Sequence, residues 1–186
     1  MRVTVYAGSA LGNRAAYREA AALFAKELVA AGHEIVYGGG AAGLMGVVAD
    51  AALAAGGRVT GVIPQHLVEA EVAHRGLTRL HVVDTMHQRK QLMADLADAF
   101  VALPGGVGTV EEIFEVWAWL VLGRHTRPLA LLNTEGYWDR LLRMNCRMAA
   151  SGFLRKEEVG SLPAVADATE FLELVRLWEP PPPRWG

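Results

Sequence analysis

The chain has 186 residues, of which 52% are hydrophobic, and its 18 Lys and Arg against 20 Asp and Glu give a formal net charge of −2. That length suits one domain with a sizeable core. The even charge balance, without a Lys/Arg block, leaves no electrostatic footprint for nucleic acid or an anionic membrane.

In chain order, Val3 to Ala7 reads as a strand ending in Gly8-Ser9, with no signal-peptide core before it. Arg14 to Ala31 reads as a helix closed by Gly32, with Ala21, Leu23, Phe24, Leu28 and Val29 near helical spacing. Glu34 to Tyr37 is a strand, followed by a glycine-rich turn from Gly38 to Gly46 and a helix from Leu44 to Ala55. Arg58 to Ile63 is a strand stopped by Pro64, Leu80 to Val83 another strand, and Thr85 to Leu96 a helix. Ala99 to Leu103 is an apolar run that reads as a buried strand, with a helix beginning near Ile113. Pro128 to Leu132 is a strand, Tyr137 to Ala150 a helix, Val159 to Leu162 a weak strand, and Asp167 to Trp178 a helix capped by Asp167. Pro180 to Gly186, with four consecutive prolines, is expected to be extended and outside the core, so residues 1–179 form a single domain and 180–186 a tail. The alternation predicts a Rossmann-like α/β fold, a doubly wound parallel sheet with helices on both faces. Such sheets bind ligands at the carboxyl ends of their strands, where Gly8-Ser9, Gly38 to Gly46, Asp84 to Lys90 and Pro104 to Glu112 are expected to converge.

The segment Pro104-Gly105-Gly106-Val107-Gly108-Thr109-Val110-Glu111-Glu112 is the most informative. Three glycines and a threonine lie where a strand hands over to a helix, and such a turn exposes N–H groups that hold phosphate. Glu111 and Glu112 are expected in the first turn of that helix, where acidic residues often do no more than complement the dipole. Beside this turn a carboxylate is a candidate for chemistry. Dipole and amides would keep it ionised, suited to orienting water, attacking a sugar carbon or stabilising an oxocarbenium ion. Glu112, Glu115 and Trp119 share a helix face. Arg89-Lys90 follows a strand, where Arg can clamp phosphate or anchor a carboxylate; an exposed basic pair is the alternative.

Gly38 to Gly46 contains G-x-G-x-x-G, but the next strand ends Val62-Ile63-Pro64-Gln65, without the acidic residue a dinucleotide ribose requires, and no Gly-Lys-Ser/Thr follows. Helix–sheet packing accounts for some of these glycines in any case. Two glycine-rich turns favour a mononucleotide or sugar phosphate, and no cofactor is expected. Six histidines without metal spacing, among them His87, and a single cysteine predict no catalytic metal. Cys146 is expected to pack within a helix and to form no internal disulfide, which fits a reduced, cytoplasmic setting. Trp117, Trp119 and Trp138 read as helix core or subunit interface. No window reaches about 18 uncharged apolar residues, so no membrane span is expected.

Together these motifs resemble the LOG family, the cytokinin riboside 5′-monophosphate phosphoribohydrolases, from about Val3 to Phe153. The resemblance rests on Ala7-Gly8-Ser9, Val36 to Gly40 with Gly43-Leu44-Met45-Gly46, Gly61 to Pro64, Met86 to Lys90, Pro104 to Glu112, Leu132-Asn133 and Gly136-Tyr137-Trp138. It implies hydrolysis of the N-glycosidic bond of a nucleoside 5′-monophosphate to free base and ribose 5-phosphate. It also implies a homodimer or higher oligomer with sites near the subunit interface. On this resemblance Arg89 and Glu112 match the catalytic pair and Gly105, Gly106, Gly108 and Thr109 the phosphate turn. Gly8, Ser9, Gly39, Gly40, Gly43, Met45, Met86 and Lys90 fall in matched motifs as substrate or phosphate contacts. Two stretches depart from the family: Gln88 stands where it usually has Glu, and Ala118 to Gly123 replaces a more polar run, which bears on base selectivity. The competing readings are a non-catalytic nucleotide-binding module, a single-stranded DNA binder, which lacks its basic stripe, and a lysine decarboxylase. The last needs pyridoxal phosphate on a lysine, and of Lys26, Lys90 and Lys156 only Lys90 falls near the proposed site.

Overall fold

The computed structural model describes residues 1–69 and 72–185. Its strands are β1 (Arg2–Tyr6), β2 (Glu34–Tyr37), β3 (Val59–Pro64), β4 (Arg79–Val83), β5 (Ala99–Ala102), β6 (Leu129–Leu132) and β7 (Ala164–Val165). They form one sheet in the order β4-β3-β2-β1-β5-β6-β7, with all six pairings parallel. The helices are α1 (Ala15–Ala30), α2 (Gly43–Ala54), α3 (Gln65–Glu69), α4 (Met86–Leu96), α5 (Val107–Val121), α6 (Asp139–Ala150), α7 (Lys156–Gly160) and α8 (Ala168–Arg176).

The period-two alternation of the strands splits the core into two layers. Val3 and Val5 of β1, with Ala99 and Val101 of β5, pack against Phe24 and Leu28 of α1, Val48 of α2 and Phe171 of α8. Tyr6, Phe100 and Ala102 point the other way, onto Met93 of α4 and Ile113, Val116 and Leu120 of α5. Strand order reverses between β1 and β5, so this architecture opens its crevice there.

Three sequence expectations are corrected, and one helix is added. Helix α5 starts at Val107 with Gly106 as its N-cap, so Glu111 and Glu112 lie in its second turn. Gly106 and Gly108 add no strain at a helix start, and the chain coils straight from the turn. The expected strand at Val159 to Leu162 is instead the end of α7, where the buried Glu158 accepts from the Arg155 backbone at 2.8 Å and closes the first turn. The edge strand is β7, just beyond Pro163. Cys146 lies on α6 but its side chain is exposed rather than packed. Helix α3, directly after Pro64, carries no buried residue and so no apolar stripe to betray it. The expected cap of α8 is present: Asp167 accepts from the Glu170 N–H at 2.9 Å.

Candidate active site

Glu112 and Arg89 meet at the carboxyl end of the sheet. Arg89 sits in the first turn of α4, whose start is fixed by a capping box. The Thr85 hydroxyl accepts from Gln88 N–H at 3.1 Å, and Gln88 Oε1 accepts from the Asp84 and Thr85 N–H groups at 2.8 and 3.2 Å. Gln88 therefore serves the helix start, a place that Gln and Glu fill equally. From this anchored turn the guanidinium reaches over the strand ends. Its Nε donates to the Val62 carbonyl at 3.1 Å, its Nη2 to the Gly38 carbonyl at 3.4 Å, and its Nη1 to Glu112 Oε1 at 3.0 Å. A Cβ at Gly38 would overlap Nη2, so glycine there is what lets the arginine lie down. Sequence reading placed Gly38 in the turn without seeing this role, because Arg89 lies 51 residues away.

Both side chains of the pair are about nine-tenths buried. Burial pushes the Glu112 carboxyl up to about 6, while Arg89 pulls it down, Glu111 raises it and Lys90 lowers it. The helix amides expected to keep it ionised are not the cause, because a second-turn carboxylate has lost the free N–H groups of the first turn. It remains mostly ionised at neutral pH, but as a stronger base than an ordinary glutamate. Lys90 leans the other way on α4. Its Nζ donates to Glu111, and to Glu115 at 3.1 Å. Burial opposes its charge, but the two carboxylates prevail and its pKa is raised.

Two adjoining clefts share Ser9 and Gly106 as common walls. One, of about 290 Å³, is lined by Ala7, Met45, Leu67, Arg89, Val107, Gly108, Thr109 and Glu112 as well. The other, of about 250 Å³, runs along Gly8 to Gly12 and Pro104 to Gly106, with Tyr17, Leu44 and Tyr137 opposite. Neither alone exceeds the small end of ligand pockets, roughly 300 Å³; joined across Gly106 they make room for a nucleotide. No side chain caps the N-terminus of α5, and a Cβ at Gly106 or Gly108 would meet only open space. Those first-turn N–H groups are available to an anion.

The structure thus gathers Gly8, Ser9, Met45, Arg89, Gly105, Gly106, Gly108, Thr109 and Glu112 around the clefts. Other candidates do different work. Gly43, at φ +62°, lets α2 dock on the first loop, where a Cβ would overlap the Ser9 and Ala10 backbone. The Leu44 and Met45 N–H groups are satisfied by the Ala10 and Gly8 carbonyls, so the start of α2 is closed by protein rather than open to phosphate. Gly39 packs on Ile63, and Gly40 bridges to Ala73. Met86 is exposed, and Lys90 is held between its two carboxylates. Tyr137, which sequence reasoning did not single out as a site residue, lines a cleft and donates to the Gly105 carbonyl. Among the described residues no cluster of three His, Cys, Asp or Glu is placed to hold a metal, and no helix is long and apolar enough to cross a membrane.

A family model described as "Possible lysine decarboxylase" matches residues 45–175. The cytokinin riboside 5′-monophosphate phosphoribohydrolase of Rhodococcoides fascians is 49% identical over 153 residues, 82% of this chain and 77% of that protein. One of the same name from Arabidopsis thaliana is 40% identical over 179 residues, 96% of this chain and 84% of that one. The molybdenum cofactor carrier protein of Chlamydomonas reinhardtii superposes with a TM-score of 0.70 at 19% identity, covering 94% of this chain and 95% of that chain, a likeness of fold.

Proposed function

The chain belongs to the LOG family of cytokinin riboside 5′-monophosphate phosphoribohydrolases, and from that premise we propose how its clefts hydrolyse a nucleoside 5′-monophosphate, AMP or a cytokinin riboside 5′-monophosphate. The products are the free base and ribose 5-phosphate. The observation that carries the site assignment is the buried Arg89–Glu112 pair at 3.0 Å, opening on the same cleft as the uncapped start of α5.

The phosphate sits on the N–H groups from Gly106 to Thr109 and acts as a handle. Its binding energy is used to hold the anomeric carbon against Glu112. As the bond from that carbon to the base nitrogen stretches, positive charge builds on the ribose ring, and the carboxylate stabilises it. The base nitrogen leaves with the electron pair of that bond and takes a proton from solvent; water then attacks, its oxygen becomes the anomeric hydroxyl, and its proton passes to Glu112 and on to solvent. Arg89, fixed on three sides by Val62, Gly38 and Glu112, orients that carboxylate. The decarboxylase reading fails on the lysines, since Lys26 and Lys156 are exposed, and Lys90 is held protonated between two carboxylates. A homodimer working in the cytoplasm completes the proposal. An apolar groove along α5, lined by Phe114, Ala118, Val121, Leu122 and Met148, supports the dimer.

The test follows free base by chromatography from AMP and from isopentenyladenosine monophosphate, with wild type beside Glu112→Gln. Wild type should release base, and the variant should lose about 100-fold or more in kcat while still binding nucleotide. Wild-type-like turnover by the variant would remove Glu112 from the mechanism. No release by wild type from either substrate would leave a binding module.

A further inference from the structure

We propose that Tyr137 is a positioning residue that aims the Gly106 N–H at the substrate phosphate. The inference rests on the phosphate seat described above. Tyr137 Oη donates to the Gly105 carbonyl at 2.5 Å, across 32 residues of sequence. The preceding carbonyl, of Pro104, accepts from the Gly8 N–H at 3.1 Å. Both carbonyls of the turn are therefore occupied by protein donors. No peptide among the described residues is cis. In a trans peptide the N–H points opposite to the carbonyl, so tying Gly105 C=O to Tyr137 turns the Gly106 N–H away from the tyrosine.

A Gly-Gly peptide needs such a brace. With no Cβ on either side, it flips between orientations at little steric cost. The flipped form would present a carbonyl oxygen, rather than a donor, to an incoming phosphate. Thr109 packs against Gly105 and limits its position, but among the described residues only the tyrosine hydroxyl bonds to its carbonyl. The brace is itself held. The Tyr137 ring lies edge-on to Tyr17 and Trp138, with centroids at 5.5 and 4.7 Å. It follows a turn in which Glu135 adopts φ +51°, a left-handed conformation that is strained for a non-glycine residue. Arg14 holds Glu135 at 2.7 Å, and Asn133 Nδ2 donates to Asp139 at 2.8 Å. Strain of this kind persists where surrounding contacts enforce it.

Tyr137→Phe keeps the ring and removes the hydroxyl. Its kcat/KM for AMP should fall about tenfold, the scale of one well-placed hydrogen bond. Competitive inhibition by inorganic phosphate should weaken by a similar factor. Hydrolysis of adenosine, which has no phosphate to hold, should be unchanged. A role in packing alone would lower both substrates together and leave the phosphate inhibition constant where it was; that pattern, or no loss for AMP, overturns the proposal. If adenosine turnover is too slow to measure, the phosphate inhibition constant decides. Failure of wild type to release base from AMP would sink the reaction itself, a result distinct from any of these.

Discussion

Glu112 is where burial and ionisation oppose each other. The sheet and α4 remove water from it, raising its pKa to about 6, and Arg89 limits the rise. In the proposed mechanism the ionised form stabilises ribosyl charge, so activity should fall as pH drops through about 6. Arg89→Met removes the cation that holds the value down. The acid limb of kcat/KM should then move upward by about one unit or more, towards neutrality. A pH–rate profile of the variant whose acid limb stays put would show that Arg89 does not govern the carboxylate. The same raised value sets a sign for stability. The folded state binds the proton more tightly than the unfolded chain, so Glu112 favours the fold at acid pH, and that contribution is lost as pH rises from about 4.5 to about 6. Arg89 and Glu112 were legible in sequence because their motifs are long and ordered. The raised pKa was not, because it comes from packing α4 against α5, elements that only the fold brings together. Tyr137 stood in the matched Gly136-Tyr137-Trp138, but its bond to Gly105 was not legible for the same reason, since it closes a loop of sequence that no local pattern records.

Between elements, the join of α4 to α5 decides how firmly the proposed catalytic pair is held. Lys90 from α4 bonds Glu111 and Glu115 on α5, which flank Glu112 on the helix surface. Lys90→Met would leave two carboxylates without their cation. Glu111 is half exposed, which tempers the cost to about 1–2 kcal/mol in a urea titration. Lys90→Arg should recover most of the loss, and a methionine variant as stable as wild type would deny Lys90 this role. Most elements were readable from the alternation of short apolar runs with helical ones. Strand β2 falls on the expected Glu34 to Tyr37, and most other strand ends differ by a residue. The failures have physical causes. Short helices such as α3 and α7 bury too little to leave a period, and the glycines before Val107 read as loop although one of them caps α5.

Across the molecule, the parallel α/β class was legible, but the order of the strands was not, since pairing is settled by which helices cover which face. The tail also differs from a free extension. It lies outside the core, yet the Arg184 N–H donates to the Val121 carbonyl at 2.9 Å, its guanidinium to the Phe153 carbonyl at 3.0 Å, and Pro182 accepts from Arg155 at 3.0 Å. It borders the apolar groove of α5, where Leu122 stands 48% exposed, and Phe153 nearby is 73% exposed. Apolar surface gathered in this way is what a twofold partner would cover. Light scattering should give twice the chain mass, and Leu122→Glu should shift it to the monomer. A monomeric wild type at micromolar concentration would remove the dimer from the proposal.

The reversal of strand order between β1 and β5 has a mechanical consequence. The sheet has two wings, β1 to β4 and β5 to β7, whose strands pair along the β1–β5 ladder and whose helices α1 and α8 pack together through Phe24 and Phe171. The clefts straddle that ladder, with the Gly8 loop and Arg89 carried by one wing and its following helix, and the phosphate turn and Glu112 by the other. A nucleotide seated there is a rivet through both leaves. At the proposed site each molecule bound would resist their separation, so substrate supply would tighten the joint on which the proposed chemistry depends.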